Sequence, residues 1–397
     1  MGWLGLDDTD HIGGGCTTHK LYQLLQDLPI KFKFDNPRLV RLWPFAKRRT
    51  RGNAAVCVEI ITEEVDDLIK FLDNWWKENL QQLAGMLTHS ENYQRTQYET
   101  DPGMVWFNKQ PNERFYWETV SKEVFIDEMP IADFSWGGHG KIGATAAVAW
   151  PAKISTFEAI AWRHNSNILK QKSRKVDLSK LLIVDEDHNT FMSRDLRSKN
   201  ILISPRGNCP VLFGLRAKTL QSAKKNCEFL IDSDETEEIY GHMIFQTNQA
   251  TDDHLVEDKF GVVKNIDILP RGTVKIATKD GNILMAFAES GDIKLLAQWL
   301  IENDQIKFNG LLNHDQAIHL ERLKVIKAAN IKQRPICQQC DVRMKSMGTN
   351  QSVRCPKCRI KSDKLWDEIS RVPPFGNWVQ PPLDSRRHLT MPIEWKK

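Results

Sequence analysis

Trp3-Leu4-Gly5-Leu6-Asp7-Asp8-Thr9-Asp10 runs a short apolar stretch directly into three carboxylates, and Gly13-Gly14-Gly15-Cys16-Thr17-Thr18 follows after His11 and Ile12. Trp3–Leu6 reads as a strand and the glycines as a loop, with Thr17 or Thr18 opening a helix through Leu25. Carboxylates at a strand end suit Mg²⁺, which keeps several waters and bridges nucleotide phosphates. Consecutive glycines admit backbone N–H groups to phosphate, and a helix N-terminus favours its charge. On this reading Asp7, Asp8 and Asp10 hold magnesium, and Gly13, Gly14 and Gly15 approach the phosphates. A threonine at that point is either an N-cap or a phosphoryl acceptor. No Gly-Lys-Ser/Thr follows the glycines, so the loop is not a Walker A motif.

Outward from this loop, Ala54–Ile61 alternates as a strand, and Asp66–Leu83 carries helical spacing. Asn92–Arg114 shows no periodicity and reads as a long loop. Ile142–Trp150 and Phe157–Trp162 read as buried helix, Leu181–Asp185, Ile201–Ser204 and Pro210–Leu215 as strands, and Thr219–Phe229 as helix. Gly138-His139-Gly140-Lys141-Ile142-Gly143 matches GxGxxG literally, but no convincing strand precedes it, which argues against a dinucleotide fold. The cluster remains a glycine turn opening a helix, with Gly140 and Lys141 able to face phosphate. Between the two glycine clusters, residues 38–53 hold Arg38, Arg41, Lys47, Arg48, Arg49 and Arg51 with Trp43 and Phe45 and no acid. Guanidinium and ammonium groups neutralise phosphates while aromatic rings stack on unpaired bases.

From Gly261 to about Leu312 the chain changes character. Val262–Ile268, Thr273–Thr278 and Ile283–Ala288 are β-rich runs split by Pro270-Arg271-Gly272 and Asp280-Gly281-Asn282, with one helix at Lys294–Glu302. Short strands with a hairpin signal and one helix suit a small OB-type barrel, or an SH3-like one. Cys337-x2-Cys340 and Cys355-x2-Cys358 then give the two knuckles of a tetrahedral zinc site, with no open position for catalysis. The segment between them is long enough for a hairpin, with Met344, Met347 and Val353 on one face and Arg343 and Lys345 outside. Pro373–Lys397 reads as an extended arm.

The 397 residues suggest several domains, and 41% hydrophobic with 27% charged residues fits soluble globular protein. No apolar run approaches the ~20 residues that span a bilayer, so no membrane partner and a cytoplasmic location are expected. The net charge of +4 divides unevenly: residues 321–397 hold 17 basic and 7 acidic residues, a balance of +10, against −6 for the rest. A basic end on an acidic body points to a polyanionic partner.

Taken together, these motifs resemble the archaeal isoleucine-tRNA 2-agmatinylcytidine synthetases over nearly the whole chain. The resemblance rests on Gly5-Leu6-Asp7-Asp8-Thr9-Asp10 with Gly15-Cys16-Thr17-Thr18, and on Pro37-Arg38-Leu39-Val40-Arg41-Leu42 with Thr50-Arg51-Gly52-Asn53. It continues through Cys209-Pro210-Val211-Leu212-Phe213-Gly214-Leu215-Arg216 and Phe245-Gln246-Thr247-Asn248-Gln249-Ala250-Thr251-Asp252, and ends with a barrel followed by a four-cysteine ribbon. His11 and Gly15 stand where the family usually has serine and methionine.

The resemblance implies a multidomain α+β fold. A kinase-like catalytic domain at 1–200 would be followed by a ferredoxin-like domain at 201–255 with part of 55–135. An OB fold at 256–330, a zinc ribbon at 331–372 and an arm at 373–397 would complete it. It implies a ligase that joins agmatine to C2 of the wobble cytidine in the AUA-decoding isoleucine tRNA, whose anticodon is CAU. ATP phosphorylates the C2 oxygen, agmatine displaces phosphate, and ATP goes overall to AMP and phosphate. A threonine after the acidic loop becomes phosphorylated; by its distance from Asp7-Asp8 it is Thr17, with Thr18 as the fallback. The dicationic amine needs acidic or carbonyl groups, with candidates near Asp185–Asp187 and Phe213–Arg216. The competing expectations are a non-catalytic RNA- or ssDNA-binding protein built on barrel and ribbon, and a small-molecule kinase, which leaves the basic end without a role.

Overall fold

Strand β1 (Gly2–Asp7) is buried on both faces: Leu4 and Leu6 enter one hydrophobic core and Trp3 another, the period-2 alternation of a central strand. This computed structural model describes residues 1–10, 15–49, 53–86, 98–164, 166–167, 173–195, 200–205, 209–348 and 351–396. They form two units, Met1–Val256 with Pro382–Lys397, and Glu257–Pro381.

In the first unit β1 is joined by β2 (Lys33–Arg41), β3 (Ala54–Ile61), β4 (Gly103–Phe107), β5 (Phe134–Gly137), β6 (Thr156–Arg163), β7 (Thr190–Phe191), β8 (Val211–Ala217) and β9 (Ile239–Thr247). They make one nine-stranded sheet in the order β5-β4-β1-β3-β2-β9-β6-β8-β7. β2 and β9 meet in parallel, with Arg38 opposite Gln246 and Leu39 opposite Thr247. Helices α1 (Thr17–Asp27) and α2 (Val65–Asn79) lay Leu21, Leu24, Leu68 and Leu72 on one face. The opposite face carries α3 (Arg114–Thr119) and α4 (Lys141–Ala149), and further along α5 (Leu178–Glu186) and α6 (Leu220–Ile231).

Several elements differ from the sequence reading. Residues 157–162 are strand β6 and not helix; β8 and β9 flank it and both its faces are buried, which erases the alternation that marks a half-exposed strand. Residues 181–185 are helix α5 and not strand. Asp177 caps it by accepting from the Ser179 and Lys180 amides at 2.8 and 3.1 Å, a signal outweighed by the short apolar run. The stretch expected as a long loop contains β4, whose five residues are all buried. Strand β5 does precede the second glycine cluster, but it pairs antiparallel with β4, so no Rossmann unit arises. Ile201 makes only an isolated bridge to Arg194.

The second unit begins with a closed barrel of β10 (Lys259–Ile268), β11 (Val274–Thr278), β12 (Ile283–Ala286), β13 (Gln305–Leu312) and β14 (Ala317–Lys327), in the order β10-β11-β12-β14-β13. Helix α7 (Asp292–Trp299) lies between β12 and β13, and Val263, Ile276, Leu284, Leu296 and Phe308 fill the interior. In the cysteine segment Lys345–Ser346, Val353–Arg354 and Lys361–Ser362 form a three-stranded antiparallel sheet. Met344 and Val353 are buried there, whereas Met347 is exposed. The stretch read as one arm divides: Val379 bridges to Leu323 in the second unit, while Pro382–Lys397 belongs to the first.

One buried ion pair ties the barrel to the chain beyond the cysteines. Asp304, with no exposed surface, accepts from Arg371 Nη1 at 2.8 and 3.0 Å and from the Ile301 and Ala329 amides at 2.8 and 2.7 Å. The Arg371 guanidinium stacks 3.7 Å from the Trp299 ring. Asp304→Ala strands that cation, and urea unfolding followed by tryptophan fluorescence is expected to show a loss of about 3–5 kcal/mol.

Candidate active site

The end of β1 opens into a cavity of about 440 Å³ in the first unit. Asp7 reaches it because α4 lies flat on β1: a Cβ at Gly143 would stand 1.9 Å from Asp7 Oδ2, and one at Gly140 would stand 2.6 Å from the Asp7 carbonyl oxygen. Asp8 turns the chain with φ +55° and accepts the Asp101 amide at 3.1 Å. Asp101 in turn accepts the His139 amide at 2.7 Å, and Thr100 Oγ1 donates to the Asp10 carbonyl at 2.5 Å. The loop is thus braced from β4 and from the turn before α4.

Burial pushes Asp7 well above the usual carboxylate range, and the neighbouring Asp8 adds to it. Burial also pushes Asp8 up to about 6; the Asp101 amide opposes this and the Asp10 charge adds to it. Adjacent carboxylates whose charged forms are penalised in this way suit a bound cation.

Thr17 and Thr18, the first residues of α1, line the same cavity. Thr9 Oγ1 donates to Thr17 Oγ1 at 3.2 Å; Thr18 Oγ1 accepts from Trp162 Nε1 at 3.3 Å and lies 3.2 Å from Cys16 Sγ. The structure therefore brings Asp7, Asp8, Asp10, Thr17 and Thr18 together, with Gly140 beside them.

The facing wall comes from the middle of the sheet. Glu158 on β6 lies 3.6 Å from Arg41 at the end of β2 and 3.6 Å from Arg216 on β8. Residue 214 has no room for a side chain, since a Cβ there would stand 2.5 Å from Glu158 Oε1. The turn at 247–253 fixes this wall: Asn248 accepts the Arg41 amide at 2.8 Å and donates to the Arg41 carbonyl at 2.9 Å, and Gln249 bonds to both Glu158 and Arg216. His388, far along the chain, lines the same wall.

The remaining residues singled out from the sequence fall as follows. Gly13, Gly14 and Arg51 lie outside the described residues. Gly15 is buried beside Cys16, the residue before α1, and Lys141 opens α4 without lining the cavity. Arg41, Arg48 and Arg49 line it. Lys47 is exposed, with its amide on Glu123. Arg38 is buried against Trp3 and Trp150, at 4.2 and 5.7 Å, and donates to the Trp150 carbonyl at 2.9 Å. Arg343 and Lys345 are exposed on the cysteine segment. Of the acids considered for a cationic amine, Asp187 accepts from Ser222 Oγ and Asn226 Nδ2, and Asp185 pairs with Arg194 at 3.2 Å; neither lines the cavity. Glu158, Gln249 and His388 were missed. Glu158 sat inside a stretch read as helix, Gln249 in a motif quoted without a role, and His388 in the supposed arm.

In the second unit the Sγ atoms of Cys337, Cys340, Cys355 and Cys358 lie within 4.8 Å of one another. A tetrahedral ion with zinc–sulfur bonds of about 2.3 Å needs sulfurs about 3.8 Å apart, so the cluster fits the group. Lys357 and Cys358 amides point at Cys355 Sγ at 3.4 and 3.5 Å, favouring a thiolate there.

The chain is therefore a mixed α+β protein of several domains, with its buried carboxylates and threonines in one unit and a metal-fitting thiolate cluster in the other. Family models match it in three stretches: the TiaS TCKD domain at 3–132, the TiaS FLD domain at 138–254 and the TiaS C-terminal zinc ribbon domain at 334–372. It is 30% identical to the isoleucine-tRNA 2-agmatinylcytidine synthetase TiaS of Archaeoglobus fulgidus, over 98% of this chain and 96% of that one. The TiaS of Thermococcus sibiricus is also 30% identical, over 98% and 95%. Among solved structures, a complex of TiaS with its isoleucine tRNA and ATP superposes with a TM-score of 0.82 at 27% identity, covering 100% of this chain and 97% of that one. Apo TiaS superposes with a TM-score of 0.78 at 27% identity, covering 99% and 97%. The chain belongs to the isoleucine-tRNA 2-agmatinylcytidine synthetase family, TiaS.

Two outcomes are expected. Native mass spectrometry finds one zinc per chain, lost together with protease resistance of residues 334–372 in Cys337→Ser. For Asp8, a pKa raised to about 6 in the fold means that its charge opposes folding at pH 7 and that the opposition fades as pH falls through 6 towards 4. Asp8→Asn, whose amide oxygen can still accept and which tolerates positive φ, is then more stable than the parent by about 2 kcal/mol at pH 7 in magnesium-free buffer, a gap that closes near pH 4.

Proposed function

We propose that this chain is an ATP-dependent ligase joining agmatine to C2 of the wobble cytidine in the isoleucine tRNA with a CAU anticodon, ATP going to AMP and phosphate. One observation carries the reading: Asp7, Asp8, Asp10 and the Thr17–Thr18 pair line a single cavity in a chain of this family. The relatives' names specify the product, and a solved relative holds its isoleucine tRNA and ATP.

The chemistry needs activation because a pyrimidine carbonyl oxygen is a poor leaving group. Transfer of a phosphoryl group from ATP to the C2 oxygen makes it a good one. The primary amine of agmatine then forms the C2–N bond as the C2–O bond breaks and phosphate departs.

Asp7, Asp8 and Asp10 would hold magnesium, which supplies charge to offset the triphosphate. The residues favour this because burial already penalises Asp7 and Asp8 as free anions. Gly15 and Gly140 would border the phosphates, a role the sequence also suggests for Gly13, Gly14 and Lys141, although Lys141 does not line the cavity; Thr17, with Thr18 as the alternative, takes the second phosphoryl group, leaving AMP, and loses it to water as phosphate. Both hydroxyls begin a helix whose N-terminus favours anionic charge.

Arg41, Arg48 and Arg49 at the cavity would serve the tRNA strand, a role the sequence also suggests for Lys47 and Arg51, while Arg38 is committed to the packing of Trp3 and Trp150. The barrel, with strand order β10-β11-β12-β14-β13 and a helix between its third and fourth strands, suits an OB fold, a frequent binder of unpaired nucleic acid. The cysteine segment would hold zinc and present Arg343 and Lys345 to phosphate. In the first unit we read the part around α1 and α4 as kinase-like and that around α5 and α6 as ferredoxin-like. Among the described residues no helix is long and apolar enough to cross a membrane, and a tRNA substrate suits a cytoplasmic enzyme.

Incubation of a transcript of this CAU-anticodon isoleucine tRNA with ATP and radiolabelled agmatine is expected to give labelled tRNA. Asp7→Ala is expected to lower the rate by about 10²–10³-fold or more with tRNA affinity within about threefold of the parent. Full activity in this variant would overturn the carboxylate assignment, and tRNA binding by the parent without transfer would favour a non-catalytic RNA-binding protein.

A further inference from the structure

The segment at 382–397 is bound along the turn that builds the cavity wall. The Ala250 amide donates to the His388 carbonyl at 2.9 Å and the Asp252 amide to the Leu389 carbonyl at 2.8 Å. The Met391 amide returns to Asp252 Oδ1 at 2.7 Å, and Lys396 Nζ lies 3.0 Å from Asp252 Oδ2. These contacts follow directly after Gln249, the residue that joins Glu158 to Arg216.

The proton placement at Gln249 follows from its partners. Arg216 Nε has no acceptor capacity and lies 2.9 Å from one amide atom of Gln249, so that atom is the oxygen Oε1. The nitrogen Nε2 then donates to Glu158 Oε2 at 2.5 Å. His388 Nδ1 lies 3.1 Å from the same Oε1, so Nδ1 carries the proton and Nε2 is the ring's acceptor. Burial, with Arg41 and Arg216 nearby, holds His388 well below the usual histidine range, so the ring is neutral and one tautomer persists. With His388 and Arg216 both donating to Oε1, the Gln249 amide cannot turn over without losing these bonds together with the one to Glu158.

We propose that His388 is a positioning residue for the reaction: by locking the Gln249 amide it sets the spacing of Glu158, Arg216 and Arg41 on the cavity wall. The assignment rests on the ligase reading above. A wall with two guanidinium groups and one carboxylate orients a polar substrate only while those charges hold their places, and a shift of about 0.5–1 Å is enough to cost rate.

The experiment uses the full-length chain and the agmatine-transfer assay. His388→Leu fills the space without a donor; His388→Asn places an amide N–H near the former Nδ1. The expected result is a kcat about tenfold or more lower in His388→Leu, with melting temperature and tRNA affinity at parental values, and recovery to within about threefold in His388→Asn. His388→Leu combined with Gln249→Leu is expected to lose no more than the worse single variant, because both act through one link. Nitrogen-15 NMR of labelled histidine is expected to show the Nδ1–H tautomer, neutral across the pH range of activity. Parental kcat in His388→Leu, equal damage in His388→Asn, additive losses or the Nε2–H tautomer would each overturn the proposal while the ligase reading stood. A parent chain that transfers no agmatine would sink both.

Discussion

The carboxylate of Asp7 occupies the space that a side chain at position 143 would fill, and much of the first unit follows from that one close approach. For β1 to deliver a carboxylate into the cavity, a helix must lie against the sheet with almost no side-chain layer between them. Helix α4 meets the demand with Gly143, Ala144, Ala146 and Ala147, all buried. The loss of apolar volume at this seam is offset around it by Trp150 and Tyr116, among the largest fully buried side chains. The result is a rigid floor under an electrostatically costly group, and Asp8 beside it has its charged form penalised as well.

The other wall solves a different problem. Arg41 and Arg216 are drawn into the sheet beside a single carboxylate, Glu158, and such a cluster is stable only if its remaining donors and acceptors are met. The turn at 247–253 supplies them. Asn248 clamps both backbone groups of Arg41, and Gln249 reaches Glu158 and Arg216 together. Tyr116 receives a hydrogen bond from Asn248 at 2.8 Å and donates to Asp253 at 2.5 Å, so the turn is also pinned to α3. The cavity is held between a floor made by close packing and a wall made by polar bonding, with β2 and β9 running in parallel between them.

What the sequence disclosed follows the range of each interaction. The acidic end of β1, the threonine pair at the start of α1 and the cysteine knuckles are local patterns whose chemistry is set by neighbours within a few residues. Helix α6 and the first barrel strands were legible for the same reason, through periodicity and turn residues such as Gly281, whose φ of +90° needs glycine. Strand β6 was not, because a strand covered on both faces reads as a plain apolar run, and its alanines and Glu158 mimic a helix. Arg38 looked like part of a basic strip until packing set it between two tryptophans. His388 could not be read at all, since its only distinguishing property is which residues it meets.

Asp7 and His388 line one cavity although about 380 residues separate them in the chain. The barrel and the cysteine segment lie between them in sequence, so the cavity wall cannot close until the whole second unit has been laid down. Joining ends this far apart costs only a few kcal/mol more than joining nearby ones, because loop-closure entropy grows with the logarithm of length. The kinetic consequence is larger than the thermodynamic one. Local parts, α1 against β1 and the hairpins of the barrel, are free to form early, whereas the bond from His388 to Gln249 belongs with the latest contacts. A chain with its acidic floor formed but this strap undocked has Asp7 and Asp8 in place while Gln249 still lacks its third partner.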